Sequence, residues 1–201
     1  MPLFPIFLDL RGKKVLIVGG GHVALRKAER LAPYGASITA VAPEFAPGFA
    51  ALSGVTALER RFQPGDVDGA ALVIAATDDA ELNAAVSELC AWEGIPVNVV
   101  DDLALCSFVF PALVRRGELS VGISTGGASP SAAQYIRRLV EEQVPGGFEE
   151  ILDFLAARRA QLKSALPAER RSAAYAALFS RCMELGRALT DGEFAGFMEE
   201  I

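Results

Sequence analysis

The chain has 201 residues, of which 52% are hydrophobic, and carries a formal net charge of −6. That composition excludes a disordered chain and supplies a core for one domain of ordinary size with an appendage. The acidic balance speaks against a nucleic-acid surface, which needs clustered cations, and leaves the attraction of any anionic substrate to local Arg and Lys. Cys90, Cys106 and Cys182 are odd in number, far apart and form no C-x-x-C pair. Neither disulfides nor a transition-metal site with a single histidine, His22, is expected, and a reducing cytoplasm fits. The start Met1-Pro2-Leu3-Phe4-Pro5 has no signal-peptide pattern, and no apolar run reaches the ~18–20 residues of a membrane span.

In chain order, Arg11-Gly12 reads as a turn before a first strand over Lys14 to Val18. The β-branched run Val15-Leu16-Ile17-Val18 meets Gly19-Gly20-Gly21, and a helix is predicted from His22 to Tyr34. This is the G-x-G-x-x-G/A pattern. Gly19 allows the tight turn, Gly21 lets backbone approach a pyrophosphate, and Ala24 lets the helix pack on the strand. The helix N-terminus offers N–H groups and a positive dipole end to phosphate. A second strand runs from Ser37 to Ala42, a short helix is expected over Phe45 to Leu52, and a third strand covers Val55 to Leu58. The apolar run Ala71 to Ala76 is a buried strand, followed by a helix from Ala80 to Trp92 with Asp78 or Asp79 as N-cap. Pro96 to Val100 is the fifth strand. Alternating strands and helices predict an α/β fold with a parallel, Rossmann-like sheet.

The pattern then changes. Ser107 to Ala112 and Glu118 to Ile123 read as two strands with Arg115-Arg116-Gly117 between them, suited to antiparallel pairing. Ser124-Thr125-Gly126-Gly127-Ala128-Ser129-Pro130 leads into a helix beginning near Ser131. From Phe148 onwards two or three helices are expected, broken at Pro167 and at Thr190-Asp191-Gly192.

In an open parallel sheet, ligands bind beyond the carboxyl ends of the strands. Four polar groups fall there: Gly19 to His22, Pro43-Glu44, Thr77 to Asp79, and Asn98 with Asp101-Asp102. The acid at the end of the second strand, Glu44, comes late for a ribose-binding acid and follows Pro43: either Glu44 or the backbone at Pro43 and Glu44 bonds the ribose hydroxyls, or Glu44 only caps a helix. No Arg or Lys lies there for a 2′-phosphate, which favours NAD over NADP. His22 is placed to meet a cofactor through its backbone. Asp101 follows an apolar strand directly. It is either a general base held at the crevice or a turn residue, and Asp102 reads as the turn residue. The Thr125 to Ser129 loop reads as an anion-binding nest and as a helix start with Ser129 as N-cap, two readings that can hold at once. Arg137-Arg138 are an anion-binding pair or a solvated face. The three cysteines read as core or helix-face thiols.

Taken together, Pro5-Ile6-Phe7-Leu8-Asp9-Leu10, Val18-Gly19-Gly20-Gly21-His22-Val23-Ala24 with Arg26-Lys27, Ala75-Ala76-Thr77-Asp78-Asp79 with Asn83, Asn98-Val99-Val100-Asp101-Asp102, Ser107-Phe108-Val109-Phe110-Pro111-Ala112 and Ser124 to Pro130 resemble the precorrin-2 dehydrogenase / sirohydrochlorin ferrochelatase family. This family includes the N-terminal module of siroheme synthases. The likeness covers residues 2 to 140 and departs at Leu103, where many members have proline. It implies oxidation of precorrin-2 to sirohydrochlorin with NAD as acceptor, and in some members insertion of ferrous iron. It implies Asp101 as the base, and cofactor contacts at Gly19, Gly21, His22, Val23, Ala24, Pro43, Glu44 and Thr77. Asn98, Ser107, Thr125, Gly126, Gly127, Ser129 and Arg137 are the expected tetrapyrrole-binding positions. Thr125 matches a serine that some members phosphorylate. The family also implies a homodimer interlocked through residues 107–140. The organisation expected is therefore a dinucleotide-binding domain over 1–104, a dimerisation region over 105–145 and a helical C-terminal domain over 146–201. Two other classes compete: an NAD-sensing regulatory module, which needs no base, and a chelatase or tetrapyrrole carrier, which needs no glycine turn.

Overall fold

The computed structural model describes residues 3–201. Met1 and Pro2, the start of the stretch read as lacking a signal-peptide pattern, lie outside the described residues. The chain divides into two units, one spanning Phe4–Phe110 and the other containing Pro111–Ile201.

The first unit is an α/β layer structure. Strands β1 (Lys14–Val18), β2 (Ser37–Ala42), β3 (Val55–Glu59), β4 (Leu72–Ala75) and β5 (Val97–Val99) form one sheet in the order β3-β2-β1-β4-β5. Every pairing is parallel. Side chains alternate across a strand, and β1 shows why its sequence is apolar from Val15 to Val18. Val15 and Ile17 enter the core under helix α1 (His22–Leu31), where Ala24, Ala28 and Leu31 are buried. Leu16 and Val18 enter the opposite core, with Val86 and Cys90 of helix α2 (Ala80–Glu93). A strand covered on both faces favours apolar side chains at successive positions. Each such burial contributes about 1.5–3 kcal/mol.

Asp79 caps α2, its carboxylate accepting from the Leu82 N–H at 3.0 Å, as the sequence predicts. The helix expected over Phe45 to Leu52 is a short 3-10 turn, Pro47–Ala51. Pro47 starts it rather than breaking it, since its fixed φ suits a first helical position.

The strand expected over Ser107 to Ala112 does not form. Ser107 and Phe108 hydrogen-bond back to Val97 O, and Phe108 and Phe110 pack on the α1-side core. The hairpin lies further along, as β6 (Ala112–Arg116) and β7 (Leu119–Ile123), with Arg116 opposite Leu119. Arg115 and Arg116 are therefore strand residues. The two-residue turn Gly117-Glu118 needs the positive φ of 52° that glycine supplies.

Helix α3 (Pro130–Gln143) packs on this hairpin. Helices α4 (Phe148–Ala165), α5 (Ala168–Leu185) and α6 (Asp191–Glu200) follow. They enclose a core of Ile151, Leu162, Ala174, Leu178, Cys182, Leu189 and Phe194. The last break falls at 186–190 rather than at Thr190-Asp191-Gly192. Thr190 is the N-cap of α6 in a reciprocal capping box with Glu193, which places Asp191 and Gly192 inside the helix.

Candidate dinucleotide crevice

The order β3-β2-β1-β4-β5 reverses direction between β1 and β4, and a ligand crevice opens beyond the strand ends there. All four polar groups read from the sequence lie along that edge. The backbone ladder continues past the strands and holds them: Gly19 N–H donates to Val41 O at 2.9 Å, Ala76 N–H to Val18 O at 2.8 Å, and Val100 N–H to Ala75 O at 2.9 Å.

The three glycines do different work. Gly19 has φ 128°, and a Cβ there would lie 2.2 Å from Ala76 O. A Cβ on Gly20 would lie 2.0 Å from Glu44 O, because Ala46 N–H donates to Gly20 O at 2.8 Å and draws the 44–46 segment against the turn. Gly21 meets nothing within 4 Å. It is the N-cap of α1, and no side chain caps that end. Open space over uncapped first-turn N–H groups fits a pyrophosphate. Ala24 is fully buried, as close helix–strand packing requires, while His22, at the helix start, is exposed and Val23 half-buried. Pro43 and Glu44 are exposed at the end of β2. Thr77 ends β4, held by buried Asn83, whose Oδ1 accepts from the Thr77 hydroxyl at 2.8 Å and whose Nδ2 donates to Thr77 O at 2.9 Å.

Asp101 is exposed and stands at φ 61°, alone among the described non-glycine residues in having positive φ. An aspartate in this left-handed region carries about 1–2 kcal/mol of strain and stays there only because its surroundings hold it. The holding groups are visible. Cys106 Sγ accepts from Val99 N–H at 3.2 Å and donates to Val99 O at 3.2 Å or Asp102 O at 3.1 Å. Asp102 accepts from Ala104 N–H at 3.0 Å, which makes it the turn residue expected. The Asp101 turn is thus clasped on both sides.

Beneath it lies Asn98, buried in β5. Strand alternation turns Asn98 to the α1 face while Val97 and Val99 face α2. Its Nδ2 donates to Phe108 O at 3.1 Å, and its Oδ1 accepts from Lys27 Nζ at 3.4 Å. Lys27 Nζ also sits 3.9 Å from the centre of the Phe110 ring. Burial pushes the Lys27 ammonium down to about 8, helped by the like charge of Arg30 and opposed by Cys106 and Asp101. Sequence reasoning assigns no role to Lys27 or Gly20 and reads Cys106 as a core or helix-face thiol, whereas its thiol clasps the Asp101 turn. Lys27 left a signal: with Ala24, Ala28 and Leu31 it occupies the i, i+3, i+4, i+7 stripe that faces the core.

Of the remaining expected substrate positions, Ser107 is in the first unit and the others belong to the second. Ser107 Oγ accepts from Val97 N–H at 2.7 Å, at the start of β5 and away from its Asp101 end. In the second unit, Thr125 Oγ1 donates to Ser129 O at 3.0 Å, Ser129 Oγ caps α3 by accepting from Ala132 N–H at 3.1 Å, and Gly126 and Gly127 have positive φ. The helix-start reading of that loop therefore holds. Arg137 pairs along its own helix with Glu141 at 2.8 Å and Gln134 at 3.0 Å.

Comparison with known proteins agrees with this geometry. Residues 6–112 match the family described as putative NAD(P)-binding. The chain belongs to that family. Residues 116–143 match the sirohaem biosynthesis protein central family. Siroheme synthases are similar over 170 residues, 83% of this chain: 42% identical in Thioalkalivibrio sulfidiphilus, 44% in Azotobacter vinelandii and 45% in Pseudomonas aeruginosa. The chain spans 35–37% of the length of these relatives. A solved structure of SirC, a precorrin-2 dehydrogenase, is 23% identical and superposes with a TM-score of 0.72 over 98% of both chains, which shows a shared fold.

Proposed function

We propose that the chain is an NAD-dependent precorrin-2 dehydrogenase of siroheme biosynthesis. The observation that carries this is the strained, clasped Asp101 at the end of β5, on the same sheet edge as the open helix N-terminus at Gly21. A bound nicotinamide supplies the hydride acceptor. The chain does the rest. Gly19, Gly21, His22, Val23 and Ala24 bind the pyrophosphate end, with Pro43, Glu44 and Thr77 along the dinucleotide. The crevice orients the tetrapyrrole edge, and the Asp101 carboxylate takes the proton that leaves as the hydride departs. The products are sirohydrochlorin, reduced dinucleotide and a proton.

Similarity to siroheme synthases also supports ferrous iron as a second substrate, exchanged for two pyrrole N–H protons that the Asp101 carboxylate takes one at a time and passes to solvent. No metal-holding group of three or more His, Cys, Asp or Glu exists among the described residues, and iron enters this reading as a substrate, not as a resident cofactor. The division of labour proposed is dinucleotide binding in 1–104, dimerisation in 105–145 and a helical domain in 146–201. Asn98, Ser107, Thr125, Gly126, Gly127, Ser129 and Arg137 are proposed along the tetrapyrrole path. Exposed Tyr135, Ile136 and Leu139 on α3 support a homodimer through that helix. No helix among the described residues is long and apolar enough to cross a membrane, and a cytoplasmic location is proposed.

The test is an anaerobic assay with precorrin-2 and NAD, without metal, followed by ferrous iron. NADH with a sirohydrochlorin spectrum is expected. A folded, NAD-binding chain that yields no NADH would move the reading to a dinucleotide sensor.

A further inference from the structure

The Lys27 ammonium has three N–H donors. Among its contacts, one hydrogen bond goes to a neutral amide at 3.4 Å and one face meets the Phe110 ring. No ion pair is formed by Lys27 among the described residues. A half-buried cation whose direct contacts are neutral, with the like charges of Arg26 and Arg30 on its own helix, is under-compensated and favours an anion. Its place says which anion. Five residues into α1, it lies roughly 7–8 Å along the axis from His22, away from the pyrophosphate end. Asn98 and Phe110 hold it on the β5 side, near enough to Asp101 to feel its charge.

Resting on the dehydrogenase reading above, we propose that Lys27 is the anchor for a side-chain carboxylate of the tetrapyrrole, fixing the macrocycle edge beside Asp101. Asn98 and the Phe110 ring position the ammonium, and one N–H remains for the ligand. The charged and titratable groups facing it are Asp101 and Cys106 beyond β5, and Arg26 and Arg30 on its own helix. An incoming carboxylate stabilises the protonated amine. Ligand binding near pH 8 therefore takes up a proton, and affinity falls as the amine deprotonates above that pH.

The experiment titrates the full chain with sirohydrochlorin in the presence of NAD, by absorbance and by calorimetry in two buffers of different ionisation enthalpy. Wild type, Lys27→Met and Lys27→Arg are compared, and NAD affinity reports the fold of each variant. Lys27→Met is expected to weaken sirohydrochlorin about ten- to hundred-fold, with NAD affinity kept and proton uptake at pH 8 lost. Lys27→Arg is expected to retain binding and to remove its decline between pH 7 and 9.5. Equal affinity in wild type and Lys27→Met overturns the inference alone, as does a pH decline that persists in Lys27→Arg. Wild type that binds NAD and not sirohydrochlorin overturns the dehydrogenase reading and this inference with it.

Discussion

Asp101 joins two facts, a carboxylate at the crevice and a backbone at φ 61°. They predict opposite consequences for one substitution. Asp101→Gly removes the proposed base and relieves the left-handed strain. Turnover should fall about 10²–10⁴-fold, while unfolding in urea shows a gain of about 1 kcal/mol. A variant that loses turnover and stability together argues that the conformation is unstrained. The glycines separate in the same way. Gly20→Ala drives a Cβ into Glu44 O at 2.0 Å, so it should destabilise the chain by several kcal/mol, on the order of an overpacked core. Gly21→Ala enters open space. It should leave the melting temperature nearly unchanged and weaken NAD binding, as isothermal titration can show.

At the scale of elements, the link between β3 and β4 is held by charge. Arg60 donates to both Asp66 oxygens, at 2.8 and 2.5 Å, and Lys14 Nζ donates to Asp66 O at 2.8 Å. The Arg60 guanidinium, opposed by burial and aided by the Gln63 N–H, holds the Asp66 carboxyl below its ordinary 3.8. A folded value below the unfolded one means that the contribution is present above pH ~4 and is lost as pH falls through the lowered value. Arg60 is more than a third exposed, so the effect is limited to about 1 kcal/mol. Asp66→Asn should thus be less stable than wild type at pH 6, with the gap closing towards pH 3 in denaturant titrations. An equal gap at both pH values would falsify the assignment.

For the whole molecule, the two units have separate cores. Leu178, fully buried between the C-terminal helices, belongs to the second. Leu178→Ala should cost about 2–5 kcal/mol and leave NAD affinity within twofold of wild type. NAD at a hundred times its dissociation constant should stabilise the unit that binds it by about 2.7 kcal/mol. Calorimetry of Leu178→Ala with and without NAD checks both. A loss of NAD binding in that variant would show that the helical unit is needed to build the crevice.

Legible from the sequence alone were the parallel sheet, the glycine turn, a cap at Asp78 or Asp79, the Asp102 turn, the Ser129 cap and the crevice edge. Each rests on local chemistry: apolar runs buried on two faces, a helix start that needs small residues, and side chains that bond backbone two or three residues on. Tertiary structure decided what depends on residues far apart in sequence. Gly20 matters because the segment after β2 crosses it. The strand expected at Ser107 was lost because Val97 O takes its N–H groups, ten residues away. Cys106 acts because its thiol meets backbone on both sides of Asp101. Lys27 read as one charge on a helix, and only the fold brought it beneath Asn98 and Phe110, where burial turns an ordinary lysine into a cation in need of an anion.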